Sequence, residues 1–114
     1  MKSHFIAGVL LATSVAISMT AASAAGIDAD AAKKLAKSND CFNCHAVDKT
    51  KVGPSYKKIA AKYKGKADAE SMLIKQITTA PKIKLEDGTE LTHKVIDTKN
   101  QGEIKNLVGW ILSQ

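Results

Sequence analysis

Two cysteines three residues apart, with a histidine directly behind them, constrain this chain more than any other feature: Cys41, Cys44 and His45 in "CFNCH". Both vinyl groups of a protoporphyrin lie on one side of the macrocycle. Thiols one helical turn apart reach both, and the next residue then points its imidazole at the iron. C-x-x-C-H is therefore the attachment pattern of c-type haem. A thioredoxin-like C-x-x-C asks for a surrounding βαβ pattern, which is absent. A zinc site asks for a second pair of ligands, which one spare histidine does not supply. The expected cofactor is one haem c, covalently attached through Cys41 and Cys44, with His45 on one face of the iron. Thioether bonds do not dissociate, and the haem itself becomes core for a chain with little of its own.

The 114 residues leave room for one small domain. Residues 1–25 read as a secretory signal peptide: Lys2, an apolar run from Phe5 to about Met19, then small residues at Ser23, Ala24 and Ala25. The run is shorter than the roughly 20 residues of a membrane span. Cleavage after Ala24 or Ala25 predicts periplasmic delivery of a domain at 26–114, with any membrane association made only through partners. The cleaved chain keeps 16 lysines against 11 acidic residues, a net charge of +5, and has no arginine. Nucleic-acid binders exploit the arginine fork, so a nucleic-acid role is disfavoured. A lysine-rich surface suits either transient docking to acidic partners or plain solubility.

Beyond the signal the periodicity is helical. "IDADAAKKLAKSND" has acids at its start and lysines toward its end, with Ala31 and Leu35 on one face. "KVGPSYKKIAAKYKG" carries a Gly-Pro turn and a short helix stopped by Gly65; "KADAESMLIKQITTA" sets Ala69, Leu73, Ile77 and Ala80 on one stripe. Asn100 with Glu103 caps a last helix whose inward residues are Ile104, Leu107, Val108 and Ile111, with Trp110 at the edge of that face. Gly109 inside this helix predicts a close approach by another backbone. Four helices with local contacts make an all-α domain.

On "CFNCH", "VGPSYKKIAAKYKGKADAE" and the ending "LVGWILSQ", the chain resembles the bacterial class I, monohaem, c5/c551-like cytochromes c over nearly all of its mature length. The resemblance implies a small class I fold, about four helices around one covalent haem, with the first and last helices crossing tightly. That would bring the Ala31–Leu35 face against the Leu107–Ile111 face. It implies that the carbonyl of Pro54 accepts a bond from the proximal His45 ring and fixes its orientation. It also leaves Tyr56, Tyr63 and Trp110 as candidates for a haem propionate or a buried carbonyl, or as amphipathic core.

The family's sixth ligand is usually a methionine in the loop before the last helix, and here the chain departs from the pattern. Its methionines are Met1, Met19 and Met72; the first two leave with the signal, and Met72 lies in the third helix, where it is expected to fill core space. The loop reads "APKIKLEDGTELTHKVIDTKNQ". A period of two on both sides of Asp87-Gly88 suggests a short β-hairpin, with an irregular loop as the competing reading. A two-residue turn would set Leu85 against Glu90, apolar against charged. A three-residue turn, Glu86-Asp87-Gly88 with Gly88 left-handed, pairs Ile83 with Leu91, Lys84 with Glu90 and Pro81 with His93. His93 then faces inward with Leu91 and Val95. It lies 17 residues before Trp110, about where the family's methionine would fall. The expected ligand set is His45 and His93, at a potential below that of a His/Met relative; an iron left five-coordinate, or bound by Lys94 or Met72, is the alternative.

These residues predict a periplasmic carrier of single electrons, not an enzyme. Its redox partners would be proteins such as a periplasmic dehydrogenase or reductase with an acidic docking surface. Electrons would leave by the haem edge near the thioethers, ringed by Lys49, Lys51 and Lys94. The second reading is a haem-based ligand-binding or sensor protein whose sixth ligand is displaceable or absent. A small peroxidase is the weakest reading, since the mature chain offers no further His or Arg as an acid–base group.

Overall fold

The computed structural model describes residues 26–114; the signal-peptide expectation lies outside them. In order the elements are α1 (Ala29–Ser38), α2 (Cys41–Cys44), α3 (Tyr56–Tyr63), α4 (Ala69–Thr78), β1 (Lys82–Lys84), β2 (Glu90–Thr92) and α5 (Gln101–Leu112). They are the four expected helices, the one-turn α2 that carries both cysteines, and the hairpin.

The helix starts follow capping chemistry. Asp28 accepts from the Ala31 amide at 2.9 Å, Ser55 from Lys58 at 3.0 Å and Asn100 from Glu103 at 3.1 Å. The reciprocal half of the Asn100 box is not made. Glu103 reaches Thr98 Oγ1 at 2.5 Å instead, and Thr98 takes the Asn100 amide at 3.1 Å. Gly65, at φ +77°, follows the end of α3 as expected.

Helix α5 is the centre of the molecule. It packs on α1, α3 and α4, and Ile104, Leu107, Val108, Trp110 and Ile111 are buried in it. Trp110, expected at the rim, is core at 3% exposure. The crossing of α1 with α5 is present, but the α1 face is shifted by one residue: Ala32 and Ala36 are buried, Leu35 is half-buried and Ala31 is exposed. Two alanines let the helices approach where a longer stripe would hold them apart. Gly109 is needed for a side chain, not a backbone, since a Cβ there would overlap Ile27 Cδ1. Asn106 adds a second α1–α5 tie, accepting the Asp28 N–H and donating to its carbonyl, each at 2.9 Å.

Two expectations for α4 are corrected. The helix stops at Thr78, and Ala80 takes φ +52°, which turns the chain toward Pro81. Met72 is 42% exposed and fills no core, because the buried stripe runs through Ala69 and Leu73 and residue 72 falls beside it.

The hairpin has the register set by the three-residue turn. Ile83 faces Leu91 and Lys84 faces Glu90, the Leu85 amide bonds to the Thr89 carbonyl at 2.8 Å, and Gly88 is left-handed at φ +86°. Alternation survives in burial: Ile83, Leu91 and His93 are half-buried between exposed neighbours, and Pro81 is half-buried at the hairpin base.

Candidate cofactor site

Attachment begins at a left-handed Asp40, φ +57°, which swings the chain out of α1 and into α2. One turn of helix separates Cys41 from Cys44, and the His45 amide closes it on the Cys41 carbonyl at 2.9 Å. Cys41 is half-buried and Cys44 exposed, and the two are free thiols. Burial pushes the Cys41 thiol above its usual range, against the opposing charge of Lys94.

The expected Pro54 contact is made: His45 Nδ1 lies 2.7 Å from the Pro54 carbonyl oxygen. His45 also stacks on Tyr56, ring centres 5.3 Å apart and planes at 21°. Tyr56 in turn meets Trp110 edge to face at 5.2 Å, so the imidazole is braced by the core of α5. Gly53, which sequence reasoning passed over, forms the tightest part of this wall. A Cβ there would sit 2.6 Å from His45 Cε1 and 3.0 Å from Nδ1. The signal was a glycine directly before the proline whose carbonyl was already under suspicion.

His93 emerges from β2 on the inward face. Its amide donates to the Pro81 carbonyl at 2.8 Å, the pairing the hairpin register required, and its Nδ1 lies 2.9 Å from the Lys94 carbonyl oxygen. A carbonyl can only accept, so in both histidines Nδ1 carries a proton, and Nε2 is the nitrogen left to meet a metal. Burial lowers the His45 pKa. The Pro54 bond opposes that and the neighbouring His93 adds to it, leaving the ring neutral, as a metal ligand must be.

The ring centres of His45 and His93 are 6.2 Å apart, with planes at 44°. Two metal–nitrogen bonds of about 2.0 Å, plus about 1.2 Å from each nitrogen to its ring centre, put trans imidazoles about 6.4 Å apart. The observed separation of the ring centres is close to that spacing. Among the described residues no group of three or more His, Cys, Asp or Glu side chains is arranged to hold a metal ion. Two facing imidazoles suit a metal whose other four ligands lie in one plane, as a porphyrin supplies, and do not suit zinc.

The family model of cytochrome c matches residues 29–114. The chain belongs to the cytochrome c family. Among relatives of this cytochrome is cytochrome c-551 of Pseudomonas aeruginosa, 34% identical over 95 residues that cover 80% of this chain and 84% of that one. Cytochrome c-552 of Nitrosomonas europaea is 45% identical over 67 residues, covering 59% and 61%. Among solved structures, the class 1 cytochrome MtoD from Sideroxydans lithotrophicus ES-1 matches with a TM-score of 0.74 at 58% identity, covering 77% of this chain and 97% of that one. Wild-type Nitrosomonas europaea cytochrome c552 matches with a TM-score of 0.56 at 34% identity, covering 71% and 96%. This cytochrome is thus of the class I, monohaem kind, and its Cys41–Cys44 pair provides for one covalent haem c.

Of the three lysines expected at the haem edge, two reach the attachment segment. Lys51 Nζ donates to the Phe42 carbonyl at 2.5 Å, and Lys94 pairs with Asp40 at 2.8 Å. Lys49 is exposed.

Proposed function

We propose that this cytochrome is an exported carrier of single electrons in which His45 and His93 take the two axial positions of the haem iron. The observation that carries the reading is the 6.2 Å separation of the two rings, each tied to a carbonyl through Nδ1. When bound, the haem supplies the one-electron chemistry of ferric and ferrous iron. The protein's part is to hold and orient. Cys41 and Cys44 make attachment permanent. Pro54 and Gly53 set the His45 ring, and the Pro81 carbonyl sets the backbone of His93. A second imidazole in place of a thioether removes the ligand that raises the potential, so the potential lies below that of a His/Met relative.

With both axial positions filled there is no open site for a substrate, and the chain is a carrier, not an enzyme. Residues 1–25 are the signal peptide and 26–114 the working domain, delivered to the periplasm; N-terminal sequencing of the exported protein should begin at Ala25 or Gly26. Among the described residues no helix is long and apolar enough to cross a membrane, and membrane contact is made through partners. The net charge of +5 favours redox partners with an acidic docking surface, of the dehydrogenase or reductase class.

Spectra of the ferric and ferrous protein, with and without CO, test the ligand set. The expected result is low-spin iron without the methionine-to-iron charge-transfer band, taking up CO only slowly as His93 opens, and converted to a rapidly CO-binding form by His93→Ala. High-spin iron that takes up CO in the unaltered protein would overturn the reading in favour of a ligand-binding or sensor protein.

A further inference from the structure

We propose that Asn39 is a positioning residue for the sixth ligand: its buried side chain fastens the chain at Asp97, and with it the segment that carries His93, to the turn that attaches the haem. The proposal rests on His93 being that ligand.

Asn39 closes α1 two residues before Cys41 and is 3% exposed. Its Oδ1 accepts the Asp97 N–H at 3.0 Å. Its Nδ2 donates to Asp97 Oδ1 at 2.9 Å and to the Leu35 carbonyl at 3.0 Å. A longer contact runs from Nδ2 to Ser38 Oγ at 3.4 Å, and two of the four bonds cross a separation of 58 residues. Capping α1 does not require this arrangement, because the Asn39 backbone N–H already reaches the Leu35 and Lys37 carbonyls.

Residues 93–97 have no regular secondary structure. Their backbone bonds run one way: His93 to Pro81 and Ile96 to Ile77, each at 2.8 Å. Those bonds fix the segment to the hairpin base and to α4, not to the attachment turn that sets His45. Two side-chain links cross to that turn, Asn39–Asp97 and Asp40–Lys94. The second is an ion pair at 2.8 Å between side chains 57% and 63% exposed, where solvent and salt remove most of its worth. The first is buried at its Asn39 end, though Asp97 itself is exposed, and breaking it strips partners from groups partly shielded from water. Asn39 therefore dominates in keeping His93 at its distance from His45.

The test is the rate at which excess CO displaces His93 from the ferrous holoprotein, a rate limited by opening of the His93 side. Losing two part-buried hydrogen bonds is expected to raise it about tenfold in Asn39→Ala. Asp97→Asn, which keeps an oxygen facing Asn39 Nδ2, and Lys94→Ala should stay within about twofold of the unaltered protein. Val108→Ala serves as the control: it truncates a fully buried α5 side chain and lowers stability through the core that Ile96 shares, without removing a hydrogen bond to residues 93–97. Should Asn39→Ala not accumulate, Asn39→Ser and Asn39→Asp enter the same comparison. Asn39→Asp keeps the acceptor for the Asp97 amide but sets a carboxylate against that of Asp97, and it should likewise speed CO uptake. Uptake no faster in the Asn39 variants than in Val108→Ala at matched thermal stability would overturn the positioning role. A His93→Ala protein identical to the unaltered one in spectrum and CO response would instead overturn the ligand assignment beneath it.

Discussion

The two histidines that face each other are held by opposite means. His45 sits in a wall: a carbonyl nine residues away in sequence, a glycine with no room for a Cβ, a stacked tyrosine, and the covalent attachment turn. His93 sits on a half-exposed hairpin, its Nδ1 bonded only to the carbonyl of the next residue and its backbone to Pro81. One side is defined by packing, which tolerates no change of shape. The other is defined by a few discrete ties, each removable by itself. With both histidines as ligands, as proposed above, a redox site needs both fixed in both oxidation states, yet the means of fixing them need not match.

That contrast breaks most visibly at Gly53. Replacing it with valine should abolish accumulation of haem-bearing protein, because the nearest atoms are those of an imidazole fixed on its far side by Tyr56. Gly53→Ala has the same sign and should cost about 3 kcal/mol, the upper part of the overpacking range. Haem absorbance per mole of protein and thermal unfolding measure both. If Gly53→Ala retains stability and spectrum, the wall yields and the proximal side is no more rigid than the distal one.

On the distal side the comparable element is Ile96, 4% exposed, whose side chain joins the main core. Ile96→Ala should cost about 2–4 kcal/mol in chemical denaturation. It should also loosen His93 while leaving His45 in place, so CO uptake rises with the loss of stability. Equal loosening of both ligands would erase the distinction between the two sides.

His93→Met sharpens the contrast without disturbing the fold, since the position is half-buried and open to a flexible side chain. The midpoint potential should rise by more than the roughly 59 mV that marks a tenfold change in a one-electron equilibrium. An unchanged potential would remove residue 93 from the iron's surroundings.

The distal side was the more legible in sequence, although it is the less rigid. The hairpin follows from a two-residue period and one glycine, and its register from refusing to bury Glu90 against Leu85; the face of His93 then needs no further information. Pro54 was legible only through resemblance, because a backbone carbonyl leaves no mark on residue type. Gly53, Asn39 and Ile96 were not found. Gly53 is defined by the volume of a ring eight residues back in the chain. Asn39 finds its partner 58 residues on. Ile96 turns inward beyond the end of β2 at Thr92, where the alternation runs on to a half-buried Val95 and then breaks. The one-residue error on α1 has the same origin. Ala31 and Ala32 are equally apolar, and only the helix that packs against them distinguishes the two.

The smallest expected effect concerns Tyr56, the stacking partner of His45, and it appears only in alkali. Burial pushes its phenol well above the usual range, and a Cys41 thiolate would add to that. In the haem-bearing protein the sulfur is a thioether, so burial alone remains. The unfolded phenol releases its proton near pH 10 while the folded one keeps it. The unfolded state then binds fewer protons, and stability falls as pH rises above about 10, by about 1.4 kcal/mol per pH unit until the folded phenol itself ionises. Below that pH the group contributes no slope. Phenylalanine cannot ionise, so urea midpoints of Tyr56→Phe measured from pH 9 to 11 should decline less steeply than those of the unaltered protein. Parallel curves would mean that the phenol opens to solvent in the holoprotein. Tyr56 would then brace His45 through its ring alone, and the proximal wall would be wetter than its 2% exposure implies.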